Sequence, residues 1–152
     1  HSNAPCPGRA AMTKTVPRRF LPLLAALPLA GCLQDSASYV FPEKDHAITL
    51  VRNQAWPWQD TMSVEVVAIR LPECHEGMSV KDIALKADIG LFKAPDDHPE
   101  PVFILRMDQR HFAVSTQSCQ VQEFKETQPD PGSKLGTFKE KDGKFSYVPE
   151  GA

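Results

Sequence analysis

Two cysteines and two histidines between positions 74 and 119 are the side chains best suited to binding a metal. Cys74 is followed directly by His75, and His111 lies eight positions before Cys119. Zinc binds such residues as deprotonated thiolates and neutral imidazoles in a tetrahedral arrangement. Neither cysteine has a second cysteine or histidine at the spacing of a zinc finger, and adjacent side chains of a strand point to opposite faces. We therefore predict no metal site and no cofactor.

Acidic and hydroxyl side chains are present, but their pattern indicates no catalytic site. Asp96, Asp97 and Glu100 could offer oxygen ligands to calcium, yet they lack the regular alternation and the glycine of a calcium-binding loop. The chain also has neither the strand-to-helix nucleophile turn of the esterases nor a glycine-rich loop that could bind phosphate. We therefore predict that the protein is not an enzyme.

The segment Trp56-Pro57-Trp58 is a candidate partner-contact site. The proline stiffens the backbone between two large rings, and exposed tryptophans are strong anchors in protein interfaces. Alternatively, one ring covers the hydrophobic core and the other covers a sheet edge. Because tryptophan is highly buried on average, the sequence favours this second interpretation.

The residues before Cys32 have the order of an export signal. Lys14, Arg18 and Arg19 precede an apolar run over residues 20–30, and Leu29-Ala30-Gly31-Cys32 ends that run with small residues before a thiol. As a helix, the run would rise only about 16 Å, roughly half the thickness of the hydrocarbon layer, which is too short for a membrane span. The pattern resembles the lipobox of bacterial lipoprotein signal peptides.

The resemblance implies that Cys32 is the lipid attachment site and that the leader is cut before it. Two or three acyl chains, palmitate among them, would hold the protein stably on a membrane. It also implies a cell-envelope location, which is the outer membrane facing the periplasm in a Gram-negative cell, because Leu33 rather than aspartate follows Cys32. Residues 12–31 are then the signal peptide, and residues 1–11 are upstream sequence foreign to the mature protein.

The expected mature part, residues 32–152, is acidic. It has 13 basic and 19 acidic side chains, a net charge of about −6 with histidines neutral. This charge argues against a nucleic-acid partner and against electrostatic adhesion to anionic lipid. With Cys32 lipidated, Cys74 and Cys119 remain, and an exported protein usually oxidises such a pair. We predict this disulfide, which would remove about 4 kcal/mol of unfolded-chain entropy.

Short apolar runs separated by turn residues indicate strands. The segments with strand character are 48–51, 63–71, 87–92, 102–107, 111–116 and a run through Val121 to Phe124. Residues 80–85 fit either a turn of helix or a strand. Since no long amphipathic helix is evident, we predict an all-β fold, a small antiparallel β-sandwich or partly open barrel over residues 47–124.

Both ends of the expected mature chain have the composition of connecting segments. Residues 32–46 are expected to form the lipidated N-terminus and a tether, and residues 125–152 a flexible C-terminal tail with a possible hairpin. In that hairpin, an Asp142-Gly143 turn would place Phe138 opposite Tyr147. The leading hypothesis is a lipid-anchored, non-enzymatic β domain that binds or supports an envelope partner. The alternative is a small-molecule or metal-binding periplasmic module.

Overall fold

The all-β prediction is confirmed. The computed structural model describes residues 33–126 and 131–151, so the expected leader and Cys32 lie outside the described residues. The strands are β1 (Gln34–Val40), β2 (His46–Asn53), β3 (Thr61–Arg70), β4 (Cys74–Ala84), β5 (Ile89–Lys93), β6 (Phe103–Met107), β7 (Arg110–Ser115), β8 (Gln120–Glu123), β9 (Ser133–Lys141) and β10 (Lys144–Pro149).

The strands form two antiparallel sheets that are not closed into a barrel. One sheet has the order β1-β2-β3-β4, and the other has the order β10-β9-β5-β6-β7-β8. Strands that are consecutive in the chain pair with each other within the first sheet and within β5 to β8. The β9–β10 hairpin then adds to the free edge of β5. At the two sides of the sandwich, β1 approaches β10 and β4 approaches β8.

A single main core lies between the sheets because side chains alternate between the two faces of each strand. Ile48 and Leu50 of β2 face inward from the four-stranded sheet, and Leu105, Phe112 and Phe138 face them from the other sheet. All five are fully buried. A smaller cluster of Phe92, Ala94 and Ile104 lies elsewhere in the six-stranded sheet.

The predicted tether over residues 32–46 is corrected by the structure. Gln34–Val40 is strand β1, which pairs with β2 along its whole length. Its inward side chains include Ala37, which is buried, and Asp35, which pairs with Arg52. The alternation of inward and outward side chains in β1 is not evident from its polar sequence. One of its inward residues is an aspartate, and the charge of that aspartate is paired with Arg52, which is distant in sequence.

The predicted flexible C-terminal tail is corrected as well. The hairpin itself is confirmed, with Phe138 directly opposite Tyr147, but it is an integral part of the six-stranded sheet. Phe138 and Phe145 fill the core, and a side chain at Gly136 would meet the Tyr147 hydroxyl at 2.5 Å. The sandwich therefore extends from β1 to β10, beyond the predicted limits of 47 and 124. The buried rings of Phe138 and Phe145 attach this segment to the core although its overall apolar content is low.

The segment that fitted either a helix or a strand is a strand. Residues 80–84 belong to β4, which begins at Cys74 and pairs with β3 except for an irregularity between Met62 and Val64. Its first half was not predicted as a strand because only Met78 among its early residues is a large apolar side chain. β4 contributes Ser79, Lys81 and Asp82 to a groove on the four-stranded sheet.

Candidate functional site

The loop between β2 and β3 presents both tryptophans to solvent. Trp56 is 44% exposed and Trp58 is 76% exposed. Their rings are stacked, with centroids 5.3 Å apart and planes inclined by 18°. The sequence favoured rings that cover the core or a sheet edge, and the structure instead gives an exposed aromatic pair. Trp58 covers one face of the Trp56 indole, and Trp56 also lines a groove beside the loop.

The buried side chain of Gln54 fixes this loop from inside. Its amide nitrogen donates hydrogen bonds to the carbonyl oxygens of Gln59, at 2.7 Å, and of Pro57, at 3.5 Å. Its Oε1 accepts a hydrogen bond of 3.3 Å from the backbone N–H of Leu33. One amide therefore connects the tryptophan loop to the residue that precedes β1. Gln54 was not among the predicted site residues, and no signal in the sequence distinguishes it from an exposed glutamine.

A groove of about 610 Å³ lies beside Trp56 on the outer face of the four-stranded sheet. Its floor consists of two neighbouring cross-strand rows, which the register defines. The residues of these rows that line the groove are Gln34, Asn53 and Ser63 in one row, and Val51, Glu65 and Ser79 in the other. Each of these side chains points away from the core because its neighbours in sequence point inward.

Polar side chains dominate this floor. Within the part of the chain that the structure describes, the Ser63 hydroxyl donates to the Asn53 carbonyl oxygen at 3.2 Å, whereas the side chains of Asn53, Glu65 and Ser79 make no hydrogen bond. They can therefore donate to or accept from a bound molecule. The groove combines an indole face with free polar groups, and such a lining suits a ligand or surface that is partly apolar and partly polar.

The predicted disulfide between Cys74 and Cys119 is present. It connects the first residue of β4 to the turn before β8, and so it joins the two sheets. Cys119 is buried, and the Thr116 carbonyl oxygen lies near both sulfurs. Oxidised sulfurs cannot serve as thiolate ligands. Among the described residues, no group of three His, Cys, Asp or Glu side chains converges as a metal site would require.

The remaining candidate residues are dispersed. His75 is exposed, whereas His111 is buried, and neither of its ring nitrogens is hydrogen-bonded to a residue that the structure describes. Burial lowers the pKa of His111, and the nearby charge of Arg106, its cross-strand neighbour, lowers it further. Nε2 of His98 lies 3.4 Å from Oδ1 of Asp97, whereas Glu100 accepts a hydrogen bond of 2.8 Å from the Ser118 hydroxyl, so these two acids of the loop have different partners.

The comparisons with other proteins leave the family open. No protein-family model matches the chain, and neither a curated protein nor a solved structure is significantly similar to it. Over the residues described here, there is no helix of the length and apolarity that crossing a bilayer demands. The candidate site therefore rests on geometry alone: an exposed tryptophan pair at the rim of a polar groove.

Proposed function

We propose that the chain is a lipoprotein of the bacterial cell envelope, anchored by lipid on Cys32. The basic, apolar and small-residue order that ends in Leu29-Ala30-Gly31-Cys32 supports this proposal. In a Gram-negative cell, the protein would face the periplasm from the outer membrane. Replacing Cys32 with serine should abolish labelling by radioactive fatty acid. Undiminished labelling of that variant would exclude the anchor.

The β-sandwich, in this proposal, is a non-enzymatic binding domain whose contact surface is the tryptophan loop with the adjacent groove. The observation that carries it is the exposure of Trp56 and Trp58, since a stacked pair of indoles left in water is a costly arrangement for a domain without a partner. A small polar molecule bound in the groove is the second candidate, favoured by the free side chains of Asn53, Glu65 and Ser79.

A photoreactive phenylalanine analogue placed in the groove tests the contact surface in cells. Ser79 is the position of choice because its exposed side chain lines the groove from β4. His75 is the matched control: it is exposed on the same face of the same strand, outside the groove. Irradiation should yield a covalent adduct with the bound partner when the analogue is at position 79, and no such adduct when it is at position 75. Equal labelling at the two positions, or none at either, would contradict the proposed surface.

A further inference from the structure

We infer that the tryptophan loop, with Trp56 and Trp58, lies in the lipid–water interface of the membrane that carries the Cys32 lipid. The inference rests on the proposed lipidation and identifies the partner of the contact surface as the bilayer itself. It follows from three features of the molecule: the absence of a tether, the connection between Leu33 and the loop, and the chemistry of the exposed side chains.

The first feature is the short distance between the anchor and the folded domain. Leu33 is the only residue between Cys32 and the start of β1 at Gln34. One residue spans at most about 3.8 Å along a chain, so the Leu33 backbone limits the distance between the proposed lipid attachment site and β1 to a few ångströms. Leu33 itself is fixed, because its side chain packs against the core and both of its backbone groups are hydrogen-bonded. The domain therefore has almost no freedom to move away from the bilayer.

The second feature is that Leu33 and the tryptophan loop share one partner. The N–H of Leu33 donates to the Gln54 side chain, and the N–H of Gln54 donates to the Leu33 carbonyl oxygen at 2.8 Å. The same Gln54 amide donates to Pro57 and Gln59 of the loop. Leu33 and the tryptophan loop consequently lie at the same end of the sandwich. The opposite end, where the β3–β4 turn carries Leu71, is about 30 Å away along β3.

The third feature is the side-chain chemistry at this end. Tryptophan is enriched at membrane–water interfaces because the indole ring is largely apolar while its N–H remains hydrogen-bonded near the headgroups. Trp58, with three quarters of its surface exposed, is placed to enter that region, and Trp56 supports it by stacking. The adjacent polar groove can receive lipid headgroups. The acidic net charge of the mature part makes electrostatic adhesion a poor alternative.

Intrinsic fluorescence tests this inference without a label, because Trp56 and Trp58 are the only two tryptophans of the chain. The lipidated protein is reconstituted into phosphatidylethanolamine vesicles, with or without lipids that carry bromine on their acyl chains. Bromine quenches indoles that contact the acyl region. We expect co-flotation with the vesicles, a blue shift of the emission and a loss of intensity in the brominated vesicles. Co-flotation with an unshifted and unquenched emission would overturn the inference and leave the proposed lipid anchor intact. Failure to co-float would instead refute the anchor.

A relocated tryptophan provides the matched control. Trp56→Phe and Trp58→Phe combined with Leu71→Trp place a single exposed indole at the opposite end, where Leu71 is 58% exposed. That variant should co-float with unquenched emission. Equal quenching of this variant and the natural protein would overturn the inference, because it would show that the vesicles contact the domain without preference for the tryptophan end. If the photoreactive residue at position 79 formed its adducts with a protein rather than with lipid, the inference would be overturned as well.

Discussion

Arg52 and Asp35 form a two-point ion pair inside the sandwich. The Nε of Arg52 lies 2.7 Å from Oδ1 of Asp35, and its Nη2 lies 2.6 Å from Oδ2. Only 2% of the Arg52 side chain is exposed. The guanidinium carbon also lies 3.9 Å from the centre of the Phe145 ring, and Nη2 is 3.2 Å from Glu140 on β9. Burial alone would lower the pKa of Arg52, but the two carboxylates raise it above its usual value. The arginine thus connects the first sheet to the second near the tryptophan loop.

The two carboxylates should contribute very differently to stability. Asp35→Asn leaves a buried guanidinium without its principal counter-charge, and we expect a loss of about 3 kcal/mol in the free energy of unfolding. Glu140→Gln is the matched control, because Glu140 is 59% exposed and an exposed pair contributes less than about 1 kcal/mol. Urea unfolding of both variants measures the difference. Equal losses would show that Asp35 is not the principal partner of Arg52.

The disulfide should stabilise the domain at the side of the sandwich opposite this ion pair. Replacing Cys74 and Cys119 together with alanine should lower the free energy of unfolding by about 2 to 5 kcal/mol, while fatty-acid labelling at Cys32 stays unchanged. The natural protein should be sensitive to a reductant and insensitive to a chelator. Free thiols in protein isolated from the envelope would contradict the bond. Bound zinc, found by native mass spectrometry, would show a metal site instead.

Strand β3 could be predicted from the sequence, whereas β1, at one edge of the four-stranded sheet, could not. Val64 and Val66 alternate with outward residues in β3, and this local pattern is enough to identify the strand. The sequence alone indicates that Asp35 of β1 is a solvated residue, because its partner Arg52 lies 17 positions away and only the fold brings the two together. Pairing between distant residues is information that local periodicity does not contain.

The candidate site, too, could be predicted only in part from local sequence patterns. The residue type and spacing of Trp56 and Trp58 identified a possible contact site, but average burial favoured rings packed on the core. The loop that carries them is hydrogen-bonded to the buried Gln54 side chain, which also accepts from Leu33, and local periodicity does not reveal these contacts. The C-terminal hairpin is a parallel case. Its Asp142-Gly143 turn was evident, while its docking on β5 depends on how Phe138 fits a core built by other strands.

Gln54 should determine the geometry of the tryptophan pair. Gln54→Ala removes the donor to the Pro57 and Gln59 carbonyl oxygens, so we expect a loss of about 1 to 3 kcal/mol in stability and a loosened loop. Two indoles held at fixed stacking give an exciton-coupled circular dichroism signal, which this variant should lose. Gln59→Ala is the control, because Gln59 uses its backbone carbonyl and should keep the signal. If Gln54→Ala retained the full signal, the loop would owe its conformation to other contacts.

His111 should make stability fall in mildly acidic solution. Its pKa is lowered, first by burial and then by the charge of Arg106, so the folded protein resists protonation at pH values where the unfolded chain accepts a proton. The unfolded state therefore binds more protons just below the ordinary histidine pKa of about 6.5, and the free energy of unfolding decreases as the pH falls through that value. Urea unfolding at neutral and mildly acidic pH should show a smaller decrease for His111→Leu than for the natural protein. An identical decrease in the two proteins would assign the effect to other groups.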